Sequence, residues 1–226
     1  MTEFLVAMGA FLVAHLIPAA PRLRSRLVAR LGRKVYLSLY SVMSLILLVW
    51  VVAASRRADA VSLWDPAPWQ WHLAFVVMAV ATFFLVAGLM TPNPLSISLR
   101  SGSTPGAIAT ITRHPVLWAF LLWSLAHIPP NGDLVTVILF GGMALFSVVG
   151  FFLLDAKARR RLGRERWHAL SRETSILPFG AMAAGRASPA RLRSLGRAGL
   201  IAALLYGWFI LQGHALLIGV DPLAGI

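Results

Sequence analysis

The chain contains no cysteine. That absence excludes disulfide staples, thiolate metal sites, Cys-ligated haem and a cysteine nucleophile. Acid is nearly as scarce, with eight Asp and Glu against 21 Lys and Arg in 226 residues, and charged residues of both signs make up only 13%. A soluble domain carries about a quarter charged residues, so a water-facing surface is also missing. No paired-carboxylate, Ser-His-Asp or Gly-rich phosphate-binding pattern stands out. Metal ligands would have to come from six histidines, the few carboxylates or the methionines.

What the chain does have is long apolar runs. It is 58% hydrophobic, with a mean hydropathy of +0.76. Six runs are long enough to consider as membrane spans, at about 3–19, 35–54, 70–90, 115–129, 133–154 and 198–219. The expected fold is all-α, a polytopic membrane bundle of six helices forming one integral membrane domain over 1–226. A basic segment separates the fifth helix from the sixth. The first run carries Glu3 and lacks a basic start, so it reads as a retained helix and not as a signal peptide.

The net charge of +13 would suggest nucleic acid on a soluble fold, but here the charges fall in blocks between apolar runs. Nineteen of the 21 basic residues lie after the first, third and fifth runs. By the positive-inside rule those connections are cytoplasmic and both termini lie on the outer side of the membrane, in a multi-pass protein. The blocks orient the helices and meet anionic membrane lipids, with no nucleic acid implied. Punctuation agrees. "TPNP" at 91–94 stops the third helix, and "IPPNGD" at 128–133 is an external turn. The fifth helix should run on into "LLDAKARRRLGRERWHALSRE", with Leu162, Trp167 and Leu170 lying on headgroups, and 180–197 reads as a linker.

Ionisable groups inside a membrane are costly and therefore functional candidates. A buried neutral imidazole can equally serve as a packing group that bonds a backbone carbonyl. His15 lies inside the first run. His114 precedes Pro115, a residue suited to the first helical position. With Arg113 it forms an anion-attracting corner at a helix start. His127 lies thirteen residues on, about 20 Å along a helix, in a segment short against a hydrocarbon core of about 30 Å. Space is expected at the end of so short a helix, and each of these histidines needs a partner from another helix. His214 is in the last run, near the outer side; His72 is interfacial and His168 solvated.

Four stretches together resemble the NnrU family of bacterial membrane proteins: "HLIPAAPRLRSRLVARLGRKVYLSLYSVMSLILL", "PNPLSISLR", "ITRHPVLWAFLLWSLAHIPPNGD" and "DAKARRRLGRERWHALSRETSILPF". The resemblance implies a link to nitrite and nitric oxide metabolism in denitrification, with the nitric oxide/nitrite reductase system as a partner. It also implies kinship with 15-cis-zeta-carotene isomerases, integral membrane enzymes that use haem b. By motif their axial ligands correspond to His15 and His127, and the shared "RHP" places His114. The expectation is a b-type haem on His15 and His127 serving a redox or isomerase-like role, with a lipophilic substrate. The two ligands lie at different depths on their own helices, so His127 with His214 and His15 with His114 stand as other pairs. A non-catalytic accessory role is the alternative. A second resemblance, of "RHP" opening a helix, is to isoprenylcysteine and phospholipid methyltransferases. It implies S-adenosylmethionine at Arg113 and His114, although the methyltransferase glutamates are represented only by Asp155.

The charge pattern makes one direct prediction. Reporter fusions after Gly32 and within 180–195 should read as cytoplasmic, and those near Asp133 and at Ile226 as periplasmic. A cytoplasmic C-terminus would mean that one of the six runs does not cross.

Overall fold

The computed structural model describes residues 1–16 and 21–225. Among them the regular structure is helical, with one isolated bridge between Ser62 and Asp133. In chain order the helices are α1 (Thr2–Leu16), α2 (Pro21–Leu31), α3 (Arg33–Arg57), α4 (Pro68–Met90), the single turn α5 (Ile108–Ile111), α6 (Pro115–His127), α7 (Leu134–Leu162), α8 (Arg164–Ser171), the turn α9 (Gly180–Ala183), α10 (Gly196–Trp208) and α11 (His214–Ile218). A 3₁₀ helix, Pro189–Leu195, leads into α10, and a π-helical turn, Phe209–Gly213, joins α10 to α11. Together Pro189–Ile218 form one continuous apolar helix.

Among the described residues four helices are long and apolar enough to cross a membrane: α3, α4, α7 and the composite Pro189–Ile218. The first and fourth apolar runs form shorter helices, α1 and α6. At thirteen residues α6 covers about 20 Å. Residues 17–19, expected to complete the first helix, fall outside the described residues. The fifth helix does run past its apolar stretch into the basic segment, ending at Leu162. Two expectations change. The arginine-rich connection after α1 is itself a helix, α2, opened by Pro21. The stretch read as a linker contains α9 and the 3₁₀ turn, so the last helix starts at Pro189 and not near 198.

The chain divides into two compact units, Met1–Asp65 with Gly132–Leu139, and Pro66–Asn131 with Phe140–Ile226. In the first, Phe4, Ala7, Met8, Phe11 and Ala14 recur at helical spacing on α1 and are buried, as are Val51 and Ala54 of α3. Glu3, at the start of α1, takes bonds from Trp50 (3.2 Å) and Arg57 (2.6 Å) near the end of α3, so the two helices run antiparallel. The rest of α3 turns apolar residues outward, with Leu45 and Ile46 each 62% exposed. Such a surface suits lipid and not water. Gly132 adopts φ +68°, and a Cβ there would strike the Trp64 carbonyl, so the external turn requires glycine.

In the second unit α4 packs along α6 on one side and α10 on another. Phe84, Ala87, Ile108, Ala119, Ala198 and Ala202 form the buried centre. Small residues allow this close approach, as is general where helices pack in a membrane. Gly88 is the tightest point, because a Cβ there would lie 2.9 Å from side-chain carbons of both Pro115 and Val116.

Gly88→Ala should therefore destabilise the second unit by about 1–3 kcal/mol, read as a lower thermal unfolding midpoint in detergent. Gly141→Ala, at an α7 glycine with no heavy atom near the added Cβ, should leave the midpoint unchanged or raise it.

Candidate functional site

Both Arg113 and His114 lie in the non-helical link between α5 and α6, where Pro115 starts the new helix and His114 occupies the N-cap backbone position. Residues 111–113 pair with 175–179. Arg113 N–H donates to the Ser175 carbonyl (2.7 Å), Thr112 Oγ1 to that of Ile176 (2.8 Å), and Phe179 N–H to that of Ile111 (2.7 Å). From the other side Asn93, buried in the loop after α4, donates to the Arg113 carbonyl (2.9 Å) and accepts from Leu95 N–H (3.1 Å). Two loops thus clamp the "TRHP" backbone.

The side chains then converge on Asp155, which α7 carries just beyond its apolar run. Arg113 Nη1 pairs with Asp155 Oδ2, while Arg113 Nε donates to Thr174 Oγ1 (2.8 Å). His114 Nε2 lies 3.1 Å from Asp155 Oδ1, and its Nδ1 lies 2.8 Å from Ser96 Oγ. A carboxylate only accepts, so Nε2 carries the ring proton and Nδ1 accepts from the Ser96 hydroxyl. His114 is fully buried and stacks at 5.9 Å on Phe151. Burial pushes the Arg113 guanidinium below the usual arginine range, while Asp155 pulls it back up. Arginine stays protonated at any physiological pH, so the pair is a true ion pair.

The expected anion-attracting corner therefore already contains an anion, supplied from α7. Asp155 neutralises the Arg113 charge, and both nitrogens of His114 are taken.

His127 is arranged differently. It closes α6, stacks on Phe140 (4.8 Å, 24°) and touches Trp123. Its Nδ1 lies 2.7 Å from the Trp123 carbonyl one turn earlier. A carbonyl only accepts, so Nδ1 carries the proton and Nε2 holds a bare lone pair. No residue among those described bonds that Nε2. His214, also in the second unit, opens α11. Its Nδ1 donates to the Val220 carbonyl (2.6 Å), which gives it the same tautomer.

His15, in the first unit, repeats the pattern, with Nδ1 2.7 Å from the Phe11 carbonyl and the ring between Phe11 (4.1 Å) and Tyr40 (5.8 Å). Tyr36 stacks on Tyr40, and its buried hydroxyl has no hydrogen-bond partner among the described residues. His72 is exposed and bonds its own helix, and His168 is exposed, both as the sequence suggested. No group of three His, Asp or Glu that could hold a metal ion occurs among the described residues.

Sequence reasoning missed Ser96, Asn93 and Thr174 as partners, and it left Asp155 without one. The available signal was Asp155 itself, a single acid between an apolar run and "KARRR". An acid in that position is expensive unless it is paired. Trp167 lies under the Arg113 and Arg159 guanidiniums, 5.1 and 4.9 Å from its centroid, a contact the sequence did not suggest.

Asp155→Asn would leave Arg113 as an uncompensated charge that is 10% exposed at its side chain. It should cost about 3 kcal/mol of stability, seen as a large drop in thermal midpoint and in monodisperse yield. His168→Ala should be neutral.

Two curated proteins give the comparison. The chain is 27% identical over 166 residues to the 15-cis-zeta-carotene isomerase of Zea mays chloroplasts, and 26% identical over 164 residues to that of Arabidopsis thaliana. Each match takes in 69% of this chain and 44% of the relative, so the chain spans less than half of their length. No solved structure matches. The family model described as NnrU protein matches residues 3–222, nearly the whole chain. The chain belongs to the NnrU family.

Proposed function

We propose that this protein is a membrane-embedded haem protein of the inner membrane, with the basic connections facing the cytoplasm. It acts on an apolar substrate in an isomerase-like or redox role. The observation that carries the reading is the state of His127: a neutral ring, its proton given to a backbone carbonyl and its Nε2 lone pair unengaged. That is the form a haem-ligating or metal-ligating histidine takes, with the second nitrogen fixed by an acceptor.

His15 offers the same tautomer from the first unit. Near it the orphan Tyr36 hydroxyl is a polar group that wants a partner. His127 and His15 each present, within its own unit, an imidazole in the tautomer that suits a haem b ligand, and His214 does so in the unit of His127. Bound iron would supply a centre that exchanges one electron with a polyene or a nitrogen oxide. The protein's own part is to hold each imidazole in one tautomer and to exclude water with aromatic rings, Phe140 and Trp123 at His127, and Phe11 and Tyr40 at His15.

The similarity to isomerases that act on a carotene supports an apolar substrate. The family's association with nitrite and nitric oxide metabolism is compatible, since nitric oxide and a polyene both partition into bilayers. Arg113 and His114 serve here as the clamp that sets α6 against α7. An S-adenosylmethionine carboxylate would have to compete with Asp155 for the same guanidinium.

Protein purified after haem-replete expression should show a Soret band that shifts on dithionite reduction. His127→Ala and His15→Ala should each lose most of the haem while the protein still inserts, and His168→Ala should keep it. A colourless, stably folded protein would end the haem reading and leave the accessory role.

A further inference from the structure

The ion-pair network leaves a second set of polar groups unused at the basic end of α7. The Trp167 Nε1–H is buried and bonds to nothing among the described residues. Unpaired buried donors are rare in native structures and mark a water or an ion that belongs there. Two guanidiniums gather over the same ring, Arg113 at 5.1 Å and Arg159 at 4.9 Å from its centroid. Arg113 spends Nε on Thr174 and Nη1 on Asp155, which leaves the two protons of Nη2 unclaimed. The Arg159 side chain contacts the Trp167 ring and forms no ion pair among the described residues.

The charge balance here is positive. Asp155 pairs with Arg113 and also accepts from His114 Nε2, so its single charge is already shared. Arg186 is near enough to act on Arg113, yet it donates only to the uncharged carbonyls of Arg172 and Thr174. Neither Arg159 nor Arg186 is in an ion pair among the described residues. The spot lies at the end of a helix long enough to span a bilayer, within two turns of its last residue, Leu162. Headgroup phosphates sit at that level.

An indole N–H and two guanidinium edges, with net positive charge and no free acceptor, are the donor set of an oxyanion site. Arginine forks match phosphate oxygens in particular. We propose that Trp167 Nε1, Arg159 and Arg113 Nη2 hold one phosphate group, either the headgroup phosphodiester of an anionic phospholipid or free phosphate. This site stands apart from the histidine assignment above, and either can fail without the other.

Full-length protein in detergent is titrated with dihexanoyl phosphatidylglycerol and followed by native mass spectrometry, with inorganic phosphate as competitor. One phosphatidylglycerol should bind in preference to dihexanoyl phosphatidylcholine. Trp167→Phe keeps an aromatic face for the guanidiniums but loses the pyrrole ring with its N–H, and should weaken binding roughly tenfold. Arg159→Gln should weaken it comparably, whereas Arg166→Gln, an exposed arginine of the same segment, should not. Displacement by millimolar phosphate assigns the site to a free anion, and resistance to it assigns the site to lipid. Equal affinity in wild type and Trp167→Phe overturns the proposal. So does an Arg166→Gln loss as large as that of Arg159→Gln, because the binding would then be diffuse charge. Should Trp167→Phe fail to fold, the exposed Arg159 decides alone, and unchanged binding in Arg159→Gln overturns the site.

Discussion

A guanidinium that is nine-tenths buried at the edge of a membrane protein has to find its counter-charge inside the protein, and Arg113 finds it in Asp155. The two are 42 residues apart, so the pair fixes where α7 lies along the loop that opens α6. Everything near it follows from the same requirement. Asp155 has a second oxygen, and His114 fills it; His114 has a second nitrogen, and Ser96 fills that. Arg113 has a further donor, and Thr174 accepts it. Each group added to satisfy the last brings in another segment, until the loop after α4, the link before α6, the end of α7 and the stretch after α8 are held together. Pairs of this kind return little net stability after desolvation, but they penalise every arrangement that separates the partners.

The histidines divide by what their ring nitrogens do. His114 is bonded at both and is part of the frame. His127, His15 and His214 each give the Nδ1 proton to a main-chain oxygen, which sets the other nitrogen as a lone pair without help from any second side chain. For His127 and His15 the acceptor is the carbonyl four residues back on the same helix, so the tautomer is encoded locally. No partner helix has to arrive before the ring is ready. The contrast is between a histidine whose two nitrogens both meet side chains of the frame and ones whose Nδ1 is satisfied by the main chain.

Much of the fold was legible because a lipid environment simplifies the code. Apolar runs bounded by "TPNP", "HP" and "PPNGD" placed α4 and α6 to within two residues and the start of α7 to within one, while α3 and α7 extend past their apolar runs into flanking arginines. Helix α2 was hidden because its five non-charged positions between arginines read as a charge block, and the start at Pro189 was hidden because Ala, Ser, Pro and Arg read as a linker. The site was legible in its residues and not in its contacts. Arg113, His114 and Asp155 could each be picked out, but which of them meet depends on packing across 42 residues that no local pattern records. Trp167 shows the same limit: its sequence context suits a headgroup anchor but does not record the two arginines that lie over its ring.

The π-helical turn Phe209–Gly213 has a consequence for how the last helix can be numbered onto a surface. One extra residue in a helix advances the azimuth of everything after it by about 100°. His214 is the first residue beyond the turn, so its face is set by that inserted residue and not by the apolar rhythm of α10. A helical wheel drawn straight through 196–218 would put His214 on the wrong side. Gly213 keeps the phase shift open, because a Cβ there would lie 2.6 Å from the Trp208 ring and 3.0 Å from that of Phe209. Removing a single residue between 209 and 213 would restore a regular α-helix and swing His214 about a quarter of a turn away, leaving the composition of the helix almost unchanged.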